Sequence, residues 1–361
     1  MAGVQARRAF RTLDGLRGVG AFLVVMRHVP YFFGPLRVPE SFLAVDLFYL
    51  VSGFVVAHAY GDRLKAGGFL WDFAKTRLIR LYPLYAIGLA IGVCAALNAV
   101  VHDPAGWWTW PKLGEAIVAG LLMIPAFPGL SANGGALDGP TWTLLPELIA
   151  NVVYAAAIRF MNYWVLGAIL VVCGAGLVGA ELAYGTLDVG YSADDGWAAL
   201  ARVGFSFFMG VLLFRVFGDR KVDSEWAAWA CVIVLAAALA YRPSEAVTPY
   251  YEVGMVLVGF PALLVFAGRY EPGAVTGRVF SVVGLVSYGV YILHQPMGNL
   301  ARDLLKRFVH VPGNWRALGF GVVFLAVTFA LAWWLDGAYD APVRKVLRAR
   351  FLPDRRRLAT A

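Results

Sequence analysis

The sequence predicts an all-α protein, a polytopic bundle of about ten transmembrane helices with one additional short helix. Three observations predict this class. Hydrophobic residues make up 60% of the chain and charged residues only 15%, whereas about a quarter of a soluble domain is charged. Apolar stretches long enough to cross a bilayer recur from one end of the chain to the other. Basic residues cluster at the two ends and in short connections, which is typical of topology signals in membrane proteins.

The predicted spans follow ten apolar stretches. In chain order they are 14–34, 41–60, 82–101, 141–159, 163–182, 197–217, 226–241, 250–268, 280–300 and 316–337. The connections 61–81 and 215–221 are rich in Lys and Arg, as is the C-terminal tail, whereas 126–140 and 183–196 contain neither. Because short cytoplasmic loops are enriched in Lys and Arg, both termini are predicted on the cytoplasmic side. The first hydrophobic segment is interpreted as an uncleaved span.

The apolar stretch 113–125 is too short to cross a membrane. If it crossed, every later loop would change sides and the distribution of Lys and Arg would be reversed. We therefore expect a re-entrant or interfacial helix here. Since the spans leave no room for a large soluble domain, the chain divides into one membrane domain, 1–340, and a basic cytoplasmic tail, 341–361.

The net charge of +8 does not indicate a nucleic-acid partner, because the basic residues mark chain ends and loops. Cys94, Cys173 and Cys231 all lie in apolar stretches without metal-like spacing. The sequence therefore predicts neither a disulfide framework nor a metal site. We expect the chain to hold no tightly bound cofactor.

Two ionisable side chains in the first span, Arg17 and His28, are the clearest functional candidates. Their separation of eleven positions is about three helical turns, so both lie on one helix face about 16 Å apart along the axis. Ionisable groups are costly in hydrocarbon and mark functional sites by default. The alternative is structural: an arginine that reaches the interface and a histidine hydrogen-bonded inside the bundle.

Four polar side chains are predicted at one level in the outer half of the membrane. They come from four different spans and are His28, Asp46, Glu147 and His294. A carboxylate beside a histidine fixes its tautomer and stabilises the imidazolium, which is a common general-base arrangement. The alternative is a polar network that holds helices together, with each hydrogen bond worth about 1 kcal/mol or less.

Basic residues are predicted at the cytoplasmic side of the bundle. Arg77 and Arg80 are three positions apart in TRLIRLYPLY and so share one helix face. Arg17 is predicted at a similar depth. Guanidinium groups bind phosphates through forked pairs of hydrogen bonds. The alternative is that these arginines only orient the neighbouring span.

Five segments resemble, in order and approximate spacing, the signature segments of the membrane acyltransferase 3 family. They are DGLRGVGAFLVVMRH, VDLFYLVSGFVVAHAY, RLIRLYPLY, PTWTLLPELI and GLVSYGVYILHQP. The family's paired arginine and histidine correspond to Arg17 and His28. Its RxxR motif corresponds to Arg77 and Arg80. Its segment of tryptophan, serine, leucine and glutamate appears here with threonine in place of serine and ends at Glu147.

The resemblance implies a multi-pass O-acyltransferase of the bacterial inner membrane. It implies cytoplasmic acyl-coenzyme A, usually acetyl-coenzyme A, as the donor, and a hydroxyl of a glycan, glycolipid or related envelope molecule as the acceptor. The expected site residues fall into three groups. They are Arg17, Arg77 and Arg80 for the donor, His28 as general base with Glu147 or Asp46 to orient it, and His294, Trp142 and Tyr288 for the acceptor. Direct transfer and a covalent acyl-histidine intermediate both stay open.

A transporter or flippase is the alternative function, because intramembrane ionisable groups also relay protons and bind anionic substrates. The scarcity of intramembrane carboxylates and the lack of an evident internal repeat argue against it. Transfer of label from acetyl-coenzyme A to an acceptor distinguishes the enzyme from a transporter, which moves substrate without a donor. An inactive scaffold is a third possibility, which the intact set of polar residues argues against.

Overall fold

The described part of the chain contains thirteen helices and one pair of two-residue strands. This computed structural model describes residues 9–67, 70–103, 106–124, 137–192, 194–218, 220–305, 308, 311 and 313–352. The helices are α1 (Arg11–His28), α2 (Ala44–Lys65), α3 (Leu70–His102), α4 (Trp110–Leu121), α5 (Leu144–Ala157), α6 (Tyr163–Tyr184), α7 (Gly196–Phe217), α8 (Glu225–Ala240), α9 (Thr248–Gly254), α10 (Phe260–Arg269), α11 (Ala274–Leu305), α12 (Ala317–Leu335) and α13 (Ala341–Phe351). The strands β1 (Val222–Asp223) and β2 (Tyr270–Glu271) pair in parallel. The all-α class predicted from the sequence is confirmed.

Short segments of tighter or wider helix connect or precede several of these helices. The 3₁₀ turns are Pro30–Phe32, Pro39–Leu43 and Gly139–Thr143, and π-helical turns at Met255–Gly259 and Asp336–Asp340 join α9 to α10 and α12 to α13. Each of the three 3₁₀ turns begins with a proline in its first two positions, where the missing N–H and the fixed φ angle are tolerated. The turns before α2 and α5 matter for the site, because they are buried inside the bundle.

Seven helical stretches among the described residues are long and apolar enough to cross a membrane. They are Pro39–Lys65, Leu70–His102, Tyr163–Tyr184, Gly196–Phe217, Thr248–Arg269, Ala274–Leu305 and Ala317–Phe351. The other three predicted spans fall on shorter or more polar helices, because α1 has 18 residues, α5 has 14 and α8 has 16. The helices are those of a multi-pass membrane protein. The count of ten spans and the side of each terminus stay predictions.

Helices α1 and α11 run side by side in the same direction. Near the start of α1, a guanidinium nitrogen of Arg17 donates to the Ser287 hydroxyl at 3.2 Å. At the end of α1, the ring of His28 lies against the ring of His294, with their centroids 5.0 Å apart. The two candidate residues of the first span are therefore both placed against α11, on the face that the sequence spacing predicts.

Helices α2 and α7 approach each other at backbone distance. A Cβ atom added at Gly53 would lie 1.9 Å from the backbone oxygen of Phe207, and one added at Gly210 would lie 2.1 Å from that of Leu50. Small residues at such crossings let helix backbones meet and increase the van der Waals contact. This crossing fixes α2, and with it the residues that α2 contributes to the site.

The short helix α4 overlaps the predicted re-entrant or interfacial stretch 113–125. It contains 12 residues, about 18 Å of helix, which is too short to cross a bilayer. Two tyrosines of α3 hold its C-terminal end, since the hydroxyl of Tyr82 donates to the Leu121 carbonyl at 2.9 Å and that of Tyr85 to the Gly120 carbonyl at 2.6 Å. Its placement in the membrane stays a prediction.

The first half of the predicted basic tail is helical and continues from the membrane domain. Helix α13 follows α12 through the π-helical turn, and Arg344 forms ion pairs with Asp336 at 3.1 Å and with Asp340 at 3.0 Å. Residues 353–361 lie outside the described part of the chain. The division at residue 340 stays a prediction.

Candidate active site

Two cavities meet inside the bundle. The large cavity has a volume of about 860 Å³ and has His28 in its wall. The small cavity has a volume of about 230 Å³, and Arg17, Arg77 and Arg80 line it. Val45 and Tyr291 line both cavities, so these two side chains form part of a shared wall.

A pair of histidines stands at the edge of the large cavity. Nε2 of His294 lies 3.2 Å from Nδ1 of His28. His294 is fully buried behind His28, which is half-buried and faces the cavity. Of the two imidazoles, His28 is therefore the one that a molecule in the large cavity can contact.

The hydrogen bonds of these histidines decide which nitrogen of each ring carries the proton. Nδ1 of His294 lies 3.1 Å from the Val290 carbonyl oxygen. Since a carbonyl only accepts, Nδ1 carries the proton and Nε2 has the lone pair. Nδ1 of His28 lies near this Nε2 and 3.0 Å from the Val24 carbonyl oxygen, so it is the donor in both contacts. Nε2 of His28 is then unprotonated and available to accept a proton.

An ion pair with a hydroxyl partner forms one side of the small cavity. The Glu147 carboxylate lies 2.9 Å from a guanidinium nitrogen of Arg77 and accepts a hydrogen bond from the Ser52 hydroxyl at 2.6 Å. The same nitrogen of Arg77 lies 3.4 Å from the Ser52 oxygen. Three side chains from α2, α3 and α5 are thereby fixed to one another, which positions Arg77 at the cavity.

The other two arginines of the small cavity are held more loosely. Arg17 donates to Ser287 at 3.2 Å and forms a longer ion pair with Asp14 at 3.5 Å. Arg80 lies over the ring of Tyr288, 5.7 Å from its centroid, in a cation–π contact. Three guanidinium groups and a single carboxylate line the cavity, so its electrostatic potential favours an anion.

The family comparison covers nearly the whole chain. Residues 10–336 match the family model of the acyltransferase domain that defines the acyltransferase 3 family. The chain belongs to this family. Both cavities lie within the matched residues, and the resemblance inferred from the five segments is confirmed. The protein is therefore a membrane acyltransferase, and this membership does not favour the transporter or flippase.

Three curated protein sequences are similar to this acyltransferase. Protein 2 in the picA locus of Rhizobium radiobacter is 45% identical over 159 residues, which cover 40% of this chain and 81% of the relative. Peptidoglycan O-acetyltransferase OatA of Listeria monocytogenes is 21% identical over an alignment of 372 residues, which covers 94% of this chain. Acyltransferase MdmB of Streptomyces mycarofaciens is 23% identical over an alignment of 386 residues, which covers 97% of this chain and 94% of the relative. The chain spans only 56% of the length of the Listeria protein, and no solved structure matches it.

Asp46 is the first correction to the expected site of the acyltransferase. The sequence placed it beside His28, but its carboxylate lies 2.6 Å from a guanidinium nitrogen of Arg202, and both side chains are completely buried. Arg202 also donates to the backbone oxygens of Val189 and Phe42. A buried guanidinium requires a counter-charge, since an unpaired charge in the interior is very costly. Asp46 supplies that charge and does not orient His28.

Glu147 is the second correction, because it belongs to the small cavity and not to the level of His28. The physical reason is the buried 3₁₀ turn Gly139–Thr143 that precedes α5. Its Pro140 carbonyl accepts a hydrogen bond from the Tyr291 hydroxyl at 2.9 Å, so the chain is already inside the bundle when α5 begins. Glu147 then lies one turn deeper, where it meets Arg77. Neither predicted carboxylate contacts His28, and a backbone carbonyl and a second histidine occupy that position.

The three residues expected to contact the acceptor lie in different parts of the site. Trp142 lines the large cavity, with the Arg202 guanidinium 5.5 Å from its ring centroid. His294 lies behind His28, where it supports that ring. Tyr288 lines the small cavity, and its hydroxyl donates to the Leu81 carbonyl at 2.7 Å. His294 is therefore not among the residues that line the large cavity, and Tyr288 lines the small one. The acceptor contacts expected of these residues stay predictions.

Four residues near the site were not anticipated as site residues. They are Ser52, Asp138, Arg202 and Tyr291. Ser52 and Tyr291 lie within the segments that resemble the family, and Arg202 interrupts an apolar span, so each had a signal. Asp138 lies in the loop before α5, and its buried carboxyl has no hydrogen-bond partner among the described residues. Burial raises the pKa of its carboxyl well above the usual range. In the described ranges no three His, Cys, Asp or Glu side chains come together in a way that could hold a metal ion.

Proposed function

We propose that this acyltransferase is an O-acyltransferase that moves an acyl group, most simply acetyl, from cytoplasmic acyl-coenzyme A to a hydroxyl of a glycan, glycolipid or related envelope molecule. The single observation that carries the proposal is the pair of cavities with a shared wall at Tyr291. His28, with an unprotonated ring nitrogen, lines the large cavity, and three arginines line the small one. Two relatives, a peptidoglycan O-acetyltransferase and an acyltransferase, support the same reaction class.

The small cavity is the proposed donor site. Coenzyme A carries several phosphates on a long flexible arm, and guanidinium groups bind phosphate oxygens in a forked geometry. Arg77 is held by Glu147 and Ser52, whereas Arg17 and Arg80 have weaker partners and can turn to a ligand. Because coenzyme A is cytoplasmic, this cavity opens on the cytoplasmic side of the proposed bacterial inner membrane.

The chemical step takes place where the two cavities meet. Nε2 of His28 accepts the proton of the acceptor hydroxyl, whose oxygen attacks the thioester carbonyl carbon. A carbon–oxygen bond forms, the carbon–sulfur bond breaks, and the leaving thiolate takes the proton back from His28. While His28 is charged, its Nδ1–H is shared between the Val24 carbonyl and Nε2 of His294, which take the place of the expected carboxylate.

A reconstituted reaction tests the proposed function against transport. The purified chain is placed in vesicles with acetyl-labelled coenzyme A on the side of the small cavity and envelope glycans on the other side. We expect label to appear as an alkali-labile ester on the glycan, at a rate that depends on the donor. Movement of a glycan or glycolipid across the vesicle without donor and without ester formation would overturn the proposal in favour of a transporter.

Donor identity is tested in the same vesicles. The acetyl label is supplied in one set of vesicles as acetyl-coenzyme A and in another as acetyl phosphate, and we expect transfer only from acetyl-coenzyme A. Transfer from acetyl phosphate alone would show that coenzyme A is not the donor, although the acyl transfer itself would stand.

A further inference from the structure

The wall of the large cavity is strongly basic. Five arginines line it, and Asp188 is the single carboxylate among its lining residues. The arginines are Arg27, Arg37, Arg202, Arg242 and Arg302. Such an excess of one sign in a concave site with walls of low dielectric focuses the field and attracts ligands of the opposite charge.

Three of these arginines are neutralised within the protein. Arg27 pairs with Asp188 at 2.5 Å, Arg202 with Asp46 at 2.6 Å, and Arg302 with its neighbour Asp303 at 3.1 Å. Each of these three guanidinium groups therefore has its counter-charge within the protein and does not need one from a ligand. The large cavity therefore owes its positive excess to the two arginines that remain.

Arg37 and Arg242 are these two residues. Arg37 donates to the backbone carbonyls of Gly34 and Leu36, which leaves its positive charge in place. Among the described side chains, neither arginine has a carboxylate within ion-pair distance. Both side chains are exposed, yet both line the cavity that holds His28.

Membrane topology does not account for them. In the predicted topology Arg37 follows the first span and Arg242 follows the seventh, so both lie in short loops on the outer side. Lys and Arg are enriched in cytoplasmic loops and are scarce in short loops on the opposite side. The orientation of the spans therefore does not require these two arginines, although both line the same cavity.

We infer that the acceptor carries a negative charge, as a sugar carboxylate or a phosphate, and that Arg37 and Arg242 bind it. This inference rests on the proposed function, since it names the class of molecule that the large cavity receives. Guanidinium groups match both carboxylate and phosphate oxygens through two parallel hydrogen bonds. With the anionic group held by these two arginines, a hydroxyl of the same or the next sugar reaches His28. The rings of Trp142 and Tyr191, which contact each other edge to face with their centroids 6.4 Å apart, line the same cavity and offer one aromatic surface to the sugar.

Equilibrium binding without donor tests this inference separately from the reaction. Three matched oligosaccharides are used: a neutral one, one with a uronic acid in place of a neutral sugar, and one with a terminal glycosyl phosphate. We expect the anionic ligands to bind the purified protein about tenfold more tightly than the neutral one, as the loss of charge-assisted hydrogen bonds implies. The uronic acid and phosphate arms show which anion is preferred.

Charge-removing variants complete the test. The double variant Arg37→Gln and Arg242→Gln should lose the preference for anionic ligands and bind the neutral one unchanged. Arg278→Gln, an exposed arginine of α11 outside both cavities, is the matched control and should retain the preference. Equal binding of all three ligands by the wild type would overturn the inference, even if acyl transfer is observed. So would a double variant that changes only the association with vesicles of anionic lipid.

Discussion

Replacing Asp46 by asparagine tests the assignment of this residue to the structure of the bundle. The Asp46 carboxylate lies 2.6 Å from a guanidinium nitrogen of Arg202 and is its counter-charge. The Arg202 side chain is only 1% exposed. Removing one partner of a buried ion pair costs about 3–5 kcal/mol, because the remaining charge stays in the interior without compensation. Asparagine keeps one acceptor oxygen for the guanidinium, so we expect the lower end of this range, about 3 kcal/mol.

Thermal unfolding in detergent measures this loss. At about 2 °C per kcal/mol for a large domain, the Asp46→Asn variant should melt about 6 °C below the wild type. The double variant Asp46→Leu with Arg202→Met removes both charges of this pair and should recover most of the difference. If the Asp46→Asn variant has the melting temperature of the wild type but loses acyl transfer, Asp46 acts in catalysis and the structural assignment is refuted.

Three further variants test the donor site, the helix crossing and the shared wall. Arg77→Ala should weaken acetyl-coenzyme A binding about tenfold in a titration, since a charge-assisted phosphate contact is lost; unchanged affinity would mean that Arg77 only orients its span. Gly53→Ala should lower the melting temperature, because the new Cβ meets the Phe207 backbone, whereas Gly167→Ala, with open space around it, should not; equal effects would contradict the close crossing. Tyr291→Ala should raise donor hydrolysis without acceptor, because it opens the shared wall to water; an intact, tightly coupled reaction would show that the cavities are separated elsewhere.

The sequence predicted the fold class and the grouping of three arginines, because those features depend on local pattern. Apolar stretches of spanning length depend on composition alone, and the spacing of Arg17 and His28 depends on helical geometry. The grouping of Arg17, Arg77 and Arg80 around one cavity also follows the expected common depth. The contacts between side chains of different helices are harder to predict. The depth of a side chain in the membrane limits which residues it can contact, but it does not select one of them.

The errors at Asp46 and Glu147 show this limit. Both residues lie in the first turn of their helix. The sequence placed both beside His28 because their predicted depth in the membrane is similar. Arg202 and Arg77, contributed by helices far away in sequence, compete for the same carboxylates and form the stronger, charge-assisted contacts. The 3₁₀ turns that lead into α2 and α5 contain buried residues, so the chain is already inside the bundle when each helix begins, which periodicity does not reveal.

Substitution of His28 by glutamine is the most direct test of the central claim that this histidine is the base of acyl transfer. The rate of acetyl transfer to the acceptor is measured under single-turnover conditions, together with donor affinity and melting temperature. We predict that the rate falls by about 10²–10⁴-fold, with donor affinity and melting temperature unchanged, while the exposed control His102→Gln keeps the wild-type rate. A His28→Gln protein that transfers acetyl within a few-fold of the wild-type rate would contradict the claim.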